Sequence, residues 1–162
     1  MMQISYGPRG ILQIDDARIV FRNFTGVKDR FNAEGDRNFA VVIEDEEVAN
    51  DLIKDGWNVK IKAPRDEDDA PFMYLPVKIK FTDRSPIAYL KSGSSDPVRL
   101  DEETISCLDE IDIAQVDLDI RPYDWVIQEG TPHEKSGRTA YLQSIHVIQA
   151  LDRFAARYEN IK

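Results

Sequence analysis

The chain has 162 residues, 42% apolar and 31% charged, proportions that exclude a disordered or fibrous class and fit one globular domain over 1–162. Its net charge of −9 argues against a duplex-DNA or RNA binder, since such domains are as a rule basic. No apolar run approaches the roughly 20 residues of a membrane helix, so no membrane partner is expected. MMQISYGPRG lacks a basic stretch followed by an apolar run, and the single Cys107 cannot form an internal disulfide, which together point to the cytoplasm.

In chain order, Ile11–Phe24 reads as one long strand, with Ile19 and Phe21 on one face and Arg18, Val20 and Arg22 on the other. Thr25–Asn38 is polar, carries two glycines with Lys28, Arg30 and Arg37, and reads as a mobile loop. Phe39–Ile43 is a short buried strand. Asp45 caps a helix over Glu46–Asp55 with Gly56 past its end and an apolar stripe of Val48, Leu52 and Ile53.

The clearest alternation follows. Trp57, Val59 and Ile61 face one way, and Asn58, Lys60 and Lys62 the other. In Phe72–Thr82, Met73, Leu75, Val77, Ile79 and Phe81 oppose Tyr74, Pro76, Lys78, Lys80 and Thr82. The two runs suit a hairpin with a long acidic loop, and Pro76 suggests an edge strand or a bulge. Pro86–Lys91 is a further strand and Leu100–Ile111 a second short helix. Ile113–Arg121 alternates, with Ile113, Val116, Leu118 and Ile120 mostly inward and Asp117, Asp119 and Arg121 outward. Gln128–Gly137 is a loop, Arg138–Ile148 the last strand, and Ala150–Tyr158 a C-terminal helix. The expected class is mainly β, a barrel or sandwich with short helical insertions.

Charge is unevenly spread. Ser92–Glu129 holds eleven acidic residues against Arg99 and Arg121. From Arg18 to Lys91, thirteen basic residues meet fourteen acids; outside the runs Glu44–Glu47 and Asp66–Asp69 that half is net basic, which permits a local positive surface.

Signatures of catalysis are missing: no phosphate-cradling glycine loop, no nucleophile elbow and no metal-spaced histidines. His133 and His146 stand far apart, His146 reads as a packing residue and Cys107 as a small buried hydrophobe. Asp117 and Asp119 share a strand face, the geometry of a two-carboxylate metal site, but a solvated strand face explains them as well. The sequence therefore predicts no enzyme, no cofactor and no metal. What stands out is the array of Lys60, Lys62, Tyr74, Lys78 and Lys80. If the two alternating strands pair, these point from one sheet face, where lysines attract phosphates and a tyrosine offers a ring to a base. Arg18 and Arg22 would extend the array, and Lys28, Arg30 and Arg37 would fold over a bound strand. Solvated or edge-guarding lysines are the bland alternative. Trp57 and Phe39 read as core; Phe24, Tyr89, Tyr123, Trp125 and Tyr141 stay ambiguous.

The ordered set GDRNF (Gly35–Phe39), GWNVK (Gly56–Lys60), RPYDW (Arg121–Trp125) and AYL (Ala140–Leu142) resembles a family of small phage-encoded single-stranded-DNA-binding proteins, over about Phe21 to Tyr158. The resemblance implies an OB-like β-barrel that binds single-stranded DNA without sequence preference in phage replication or recombination, inside the bacterial host. Phage replication or recombination proteins would then be partners, and a homodimer is compatible. Replication-type members commonly end in an acidic tail, whereas RYENIK is close to neutral. The competing expectation is an acidic phage interaction protein, an inhibitor or DNA mimic, that binds a host or replication protein through Asp101–Asp119.

Overall fold

The computed structural model describes residues 2–64, 66–151 and 154. Among them run the strands β1 (Gln3–Tyr6), β2 (Leu12–Asp15), β3 (Ile19–Asn23), β4 (Arg37–Val42), β5 (Lys60–Lys62), β6 (Phe72–Ile79), β7 (Ile87–Ser92), β8 (Val98–Leu100), β9 (Ile113–Ile127) and β10 (Lys135–Gln149). Helix α1 (Glu46–Lys54) and two 3₁₀ turns, Pro8–Gly10 and Ile105–Asp109, complete them. The molecule is mainly β, as expected. No helix among the described residues is long and apolar enough to cross a membrane.

The sheet runs β1-β2-β9-β10-β6-β4-β3, with β5 beside β6 and the β7–β8 pair beside β10. Its inner face follows the two-residue period of the sequence. Leu12, Ile14, Val41, Leu75, Val77, Val116, Leu118, Ile120, Leu142, Ile145 and Val147 are all buried, each such side chain contributing roughly 1.5–3 kcal/mol by leaving water. Phe24 and Phe39 stack at 5.2 Å in the same core, which settles Phe24 as structural.

Long strand β10 holds β9 along its length on one side. On the other side it pairs in parallel with β6 at Ala140–Tyr141 and then with β7 from Ser144 to Gln149. A register shift between Leu142 and Ser144 marks the change of partner. β6 is thus interior, not an edge. Pro76 fits there because pairing with β5 ends at Tyr74 and pairing with β10 starts at Val77, so the missing N–H removes no ladder bond on that side.

Four sequence expectations are corrected. The strand Ile11–Phe24 is broken at Asp16, where φ is 54°, so β2 pairs β9 while β3 pairs β4. Asp45 does cap α1, its carboxylate accepting from the Glu47 amide at 2.8 Å, but Ala49 and Leu52 are the buried residues and Ile53 is exposed. The second helix is only the 3₁₀ turn Ile105–Asp109, with Leu100 ending β8. The loop after β9 is shorter than Gln128–Gly137, since β10 begins at Lys135. The C-terminal helix over Ala150–Tyr158 falls largely outside the described residues.

Candidate nucleic-acid interface

Residues opposite one another in neighbouring strands point to the same face. Lys60 faces Tyr74 and Lys62 faces Phe72 across β5 and β6. Asn38 of β4 and Tyr141 of β10 both face Lys78, and Arg121 of β9 faces Tyr141. All therefore project from the outer face, away from Met73, Leu75 and Val77. The sequence-predicted Lys60, Lys62, Tyr74 and Lys78 are brought together as expected, and Lys80 follows just after β6.

Aromatic rings join them in two groups. The first is Phe21, Phe72 and Tyr74. Phe21 stands edge-on to Phe72 at 6.1 Å and to Tyr74 at 5.5 Å, and Phe72 lies 5.4 Å from Tyr74. The Lys62 ammonium sits 5.7 Å from the Phe21 ring centre and 5.8 Å from that of Tyr74. The second group is Tyr141 and Tyr123, edge to face at 6.0 Å. Arg121 and Lys80 each lie 5.4 Å from the Tyr141 ring. Beyond Tyr123, the Trp125 indole covers Gly137, where an added Cβ would come within 2.5 Å of it.

Phe21 was missed by sequence reasoning because its alternation with Ile19 placed it inward. Here β3 carries one extra residue between Val20 and Asn23 relative to β4, a bulge. Phe21 adopts φ 54° within it and is 57% exposed. Holding a bulky residue there costs about 1–3 kcal/mol, and the outcome is an aromatic ring turned out onto a basic face. Nothing in a two-residue period signals such a reversal.

The segment between β3 and β4, expected to be mobile, is hydrogen-bonded at its base and its tip. Asn23 is buried, and its side-chain oxygen accepts from the Gly26 and Val27 amides at 3.0 and 2.9 Å. Asp109 accepts from the Phe24 and Thr25 amides at 2.8 and 2.9 Å and from the Thr25 hydroxyl. At the tip Asp29 accepts from the Phe31 and Asn32 amides at 2.7 and 2.8 Å. The Phe31 amide first, and then the Asn32 side chain, hold the Asp29 carboxyl below its usual range. This turn presents Phe31 at 86% exposure, with Arg30 5.8 Å from its ring.

Between that loop and the sheet lies a groove of about 690 Å³, bordered by Phe21, Phe31, Asn38, Lys62, Tyr74 and Lys78. A second concavity of about 510 Å³ continues past Phe31 towards Arg37, Lys80 and Phe81. Together they form a trough with lysines along its sheet side.

The remaining predicted residues divide. Lys28 and Arg30 are exposed on the loop. Arg37 begins β4, donates to the Glu102 carbonyl at 2.8 Å and lies 5.0 Å over Phe81. Arg18 stands at the β2–β3 corner, 3.5 Å from Glu44. Arg22 donates from one nitrogen to the Leu108 and Ile111 carbonyls, both at 2.8 Å, which ties β3 to the second 3₁₀ turn. Asp117 accepts from the Asp16 amide and Asp119 from the Ser144 hydroxyl. No group of three or more metal-ligating side chains occurs among the described residues.

A family model described as "Putative phage ssDNA-binding domain" matches residues 1–162. The fold is similar to that of the single-stranded-DNA-binding protein from bacteriophage Enc34, C-terminal truncation, with 10% identity, a TM-score of 0.52, and 94% of this chain and 97% of that chain covered. A structure of the Enc34 protein in complex with ssDNA matches with 11% identity, a TM-score of 0.52, and 94% and 98% covered. No curated protein sequence matches the chain.

Proposed function

The chain belongs to the family of phage single-stranded-DNA-binding domains, and from that premise we propose that a single strand lies in the trough between the β3–β4 loop and the outer face of β4 and β6. One observation carries this reading: Phe21 and Tyr74 flank the Lys62 ammonium, with Phe72 against both rings, beside a groove lined by Lys78. Rings that accept any base, beside cations that follow any backbone, give affinity without sequence preference. In this reading Lys60, Lys62, Lys78 and Lys80 meet phosphates, Lys28 and Arg30 close from the loop, and Arg37 lies at the far mouth. Arg18 and Arg22 serve the framework.

The strand pairings support an OB-like barrel, and 1–162 is read as one domain. Taken as a single bent strand, β2–β3 pairs β4 at one end and β9 at the other. β4 pairs β6, β6 pairs β10 in parallel, and β10 pairs β9. That circuit returns to its start and has the connectivity of the five-stranded OB barrel, whose second and third strands and first and last interstrand loops bind oligonucleotides. Those parts correspond here to β4, β6, the β3–β4 loop and the β9–β10 loop.

The role is non-catalytic coating of single strands during phage replication or recombination, in the cytoplasm of the host, alongside proteins of those processes. Against the acidic interaction reading, Asp101, Asp109 and Asp117 are each engaged by neighbouring amides or hydroxyls of this chain. The test is fluorescence anisotropy with labelled oligo-dT and a duplex of equal length across a salt series. Binding to oligo-dT should be tighter and should weaken linearly on a log–log salt plot. Equal or tighter binding to the duplex would overturn the reading.

A further inference from the structure

We infer that the stem of the β9–β10 hairpin carries a second, separate base-stacking station, formed by Tyr141, Tyr123 and Trp125 with Arg121 and Lys80 as its cations. The inference rests on the single-strand reading above and extends it to aromatic residues outside the trough, with Lys80 at the border between the two.

The geometry is that of a built platform. β9 and β10 remain paired from Gln149 out to Lys135, so Arg121, Tyr123 and Trp125 succeed one another on one face of a continuous ribbon. Tyr123 is 57% exposed and meets the Tyr141 ring edge to face at 6.0 Å. Gly137 leaves room for the indole on the ribbon surface, since any side chain at that position would meet it at 2.5 Å. Arg121 and Lys80 flank the Tyr141 ring at 5.4 Å each. Cations beside rings, on the face that also holds Lys78 and Tyr74, repeat the chemistry of the first group.

The two stations are separated by a stretch with lysine but no ring. Tyr74 and Lys78 are four residues apart on β6, about 13 Å at strand rise, and Tyr141 lies one strand across from Lys78. A strand must reach over Lys78 before its bases can occupy both. Binding at the second station is then intramolecular and adds to affinity without a new encounter. An oligomer too short to span the gap takes one seat or the other.

Length dependence tests this. Labelled oligo-dT of increasing length is titrated into the parent, into Tyr123→Ala with Tyr141→Ala, and into Tyr123→Phe with Tyr141→Phe. The alanine pair should lose at most about twofold for the shortest oligomers and roughly tenfold or more for those that reach both stations, with the salt slope little changed. The phenylalanine pair should bind as the parent does, because the ring stacks and the hydroxyl does not. Trp57 is buried and Trp125 is not, so quenching of tryptophan emission per bound oligomer should be partial with short oligomers and greatest with spanning ones. Equal loss at every length, no loss at any length, or a changed oligomeric state as the sole effect of the alanine pair would overturn the second station while leaving the trough intact. Failure of the parent to bind oligo-dT at all would overturn both readings.

Discussion

Tyr74 lies within 5.5 Å of both Phe21 and Phe72, yet the three rings are not core, because Met73, Leu75 and Val77 bury on the opposite face. Removing the ring should therefore act on binding more than on folding. Tyr74→Ala is expected to cost about 1–3 kcal/mol of oligo-dT affinity with the salt slope preserved. Lys60→Glu combined with Lys78→Glu should instead weaken binding by more than about tenfold at low salt and flatten the slope, because fewer counterions are released. The two signatures separate stacking from charge, and salt-dependent anisotropy reads both. Should both variants bind as the parent does, the outer face of β6 is not the platform, and Arg30 and Arg37 become the residues to change next.

At the scale of elements, the base of the β3–β4 loop is held by the buried Asn23 together with Asp109. Asn23 serves four backbone groups, accepting from the Gly26 and Val27 amides and donating to the Val27 and Asp36 carbonyls. Asn23→Ala would leave those groups without their partner, at a cost of about 1–3 kcal/mol. Urea unfolding should show that loss, and oligo-dT affinity should fall further than stability alone requires, because the base from which the Phe31 turn projects is loosened. Affinity unchanged in a destabilised variant would show that the loop takes no part in binding. The same element marks the limit of what the sequence discloses. Lys60, Lys62, Tyr74 and Lys78 were legible because β6 keeps a strict alternation and β5 pairs with it in phase, although Ile61, expected inward, is 52% exposed. Phe21 was hidden because a bulge reverses the alternation at that residue. Tyr123 and Trp125 were ambiguous for a different reason: they follow Pro122 on the outward half of β9, where no buried neighbour on the inner face fixes the phase. The fold class could be read from strand periodicity, but the corner at Asp16, which sends β2 to β9 and β3 to β4, depends on tertiary pairing.

Over the whole molecule, a network joins the first strand to the last hairpin. The Tyr6 hydroxyl donates to Asp55 at 2.7 Å and accepts from the Trp57 indole at 2.8 Å. Arg138 donates to the Asp55 carbonyl at 2.8 Å and to the Asp124 carboxylate at 2.6 Å. Burial first, and then the bond to Asp55, raises the Tyr6 phenol above its ordinary 10.0. A raised value means the folded state holds this proton more tightly, so the contribution is complete below 10.0 and is lost as pH climbs through the folded value. Urea midpoints followed from about pH 8 to about pH 11 should fall at the alkaline end for the parent, and Tyr6→Phe, less stable at the start, should lack that part of the fall. An identical alkaline decline in both proteins would remove Tyr6 as its source. The pairing of β6 with β10 has a consequence of another kind. It joins Val77 and Lys78 to Ala140 and Tyr141, contacts more than sixty residues apart in sequence, and such long-range pairings form late in folding. Growth of the chain on the ribosome proceeds from the N-terminus, so β5 and β6 emerge well before the strand that completes their surroundings. The outer face proposed to bind a strand is therefore incomplete until β10 has been made, since Lys78 lacks its neighbour Tyr141 before then.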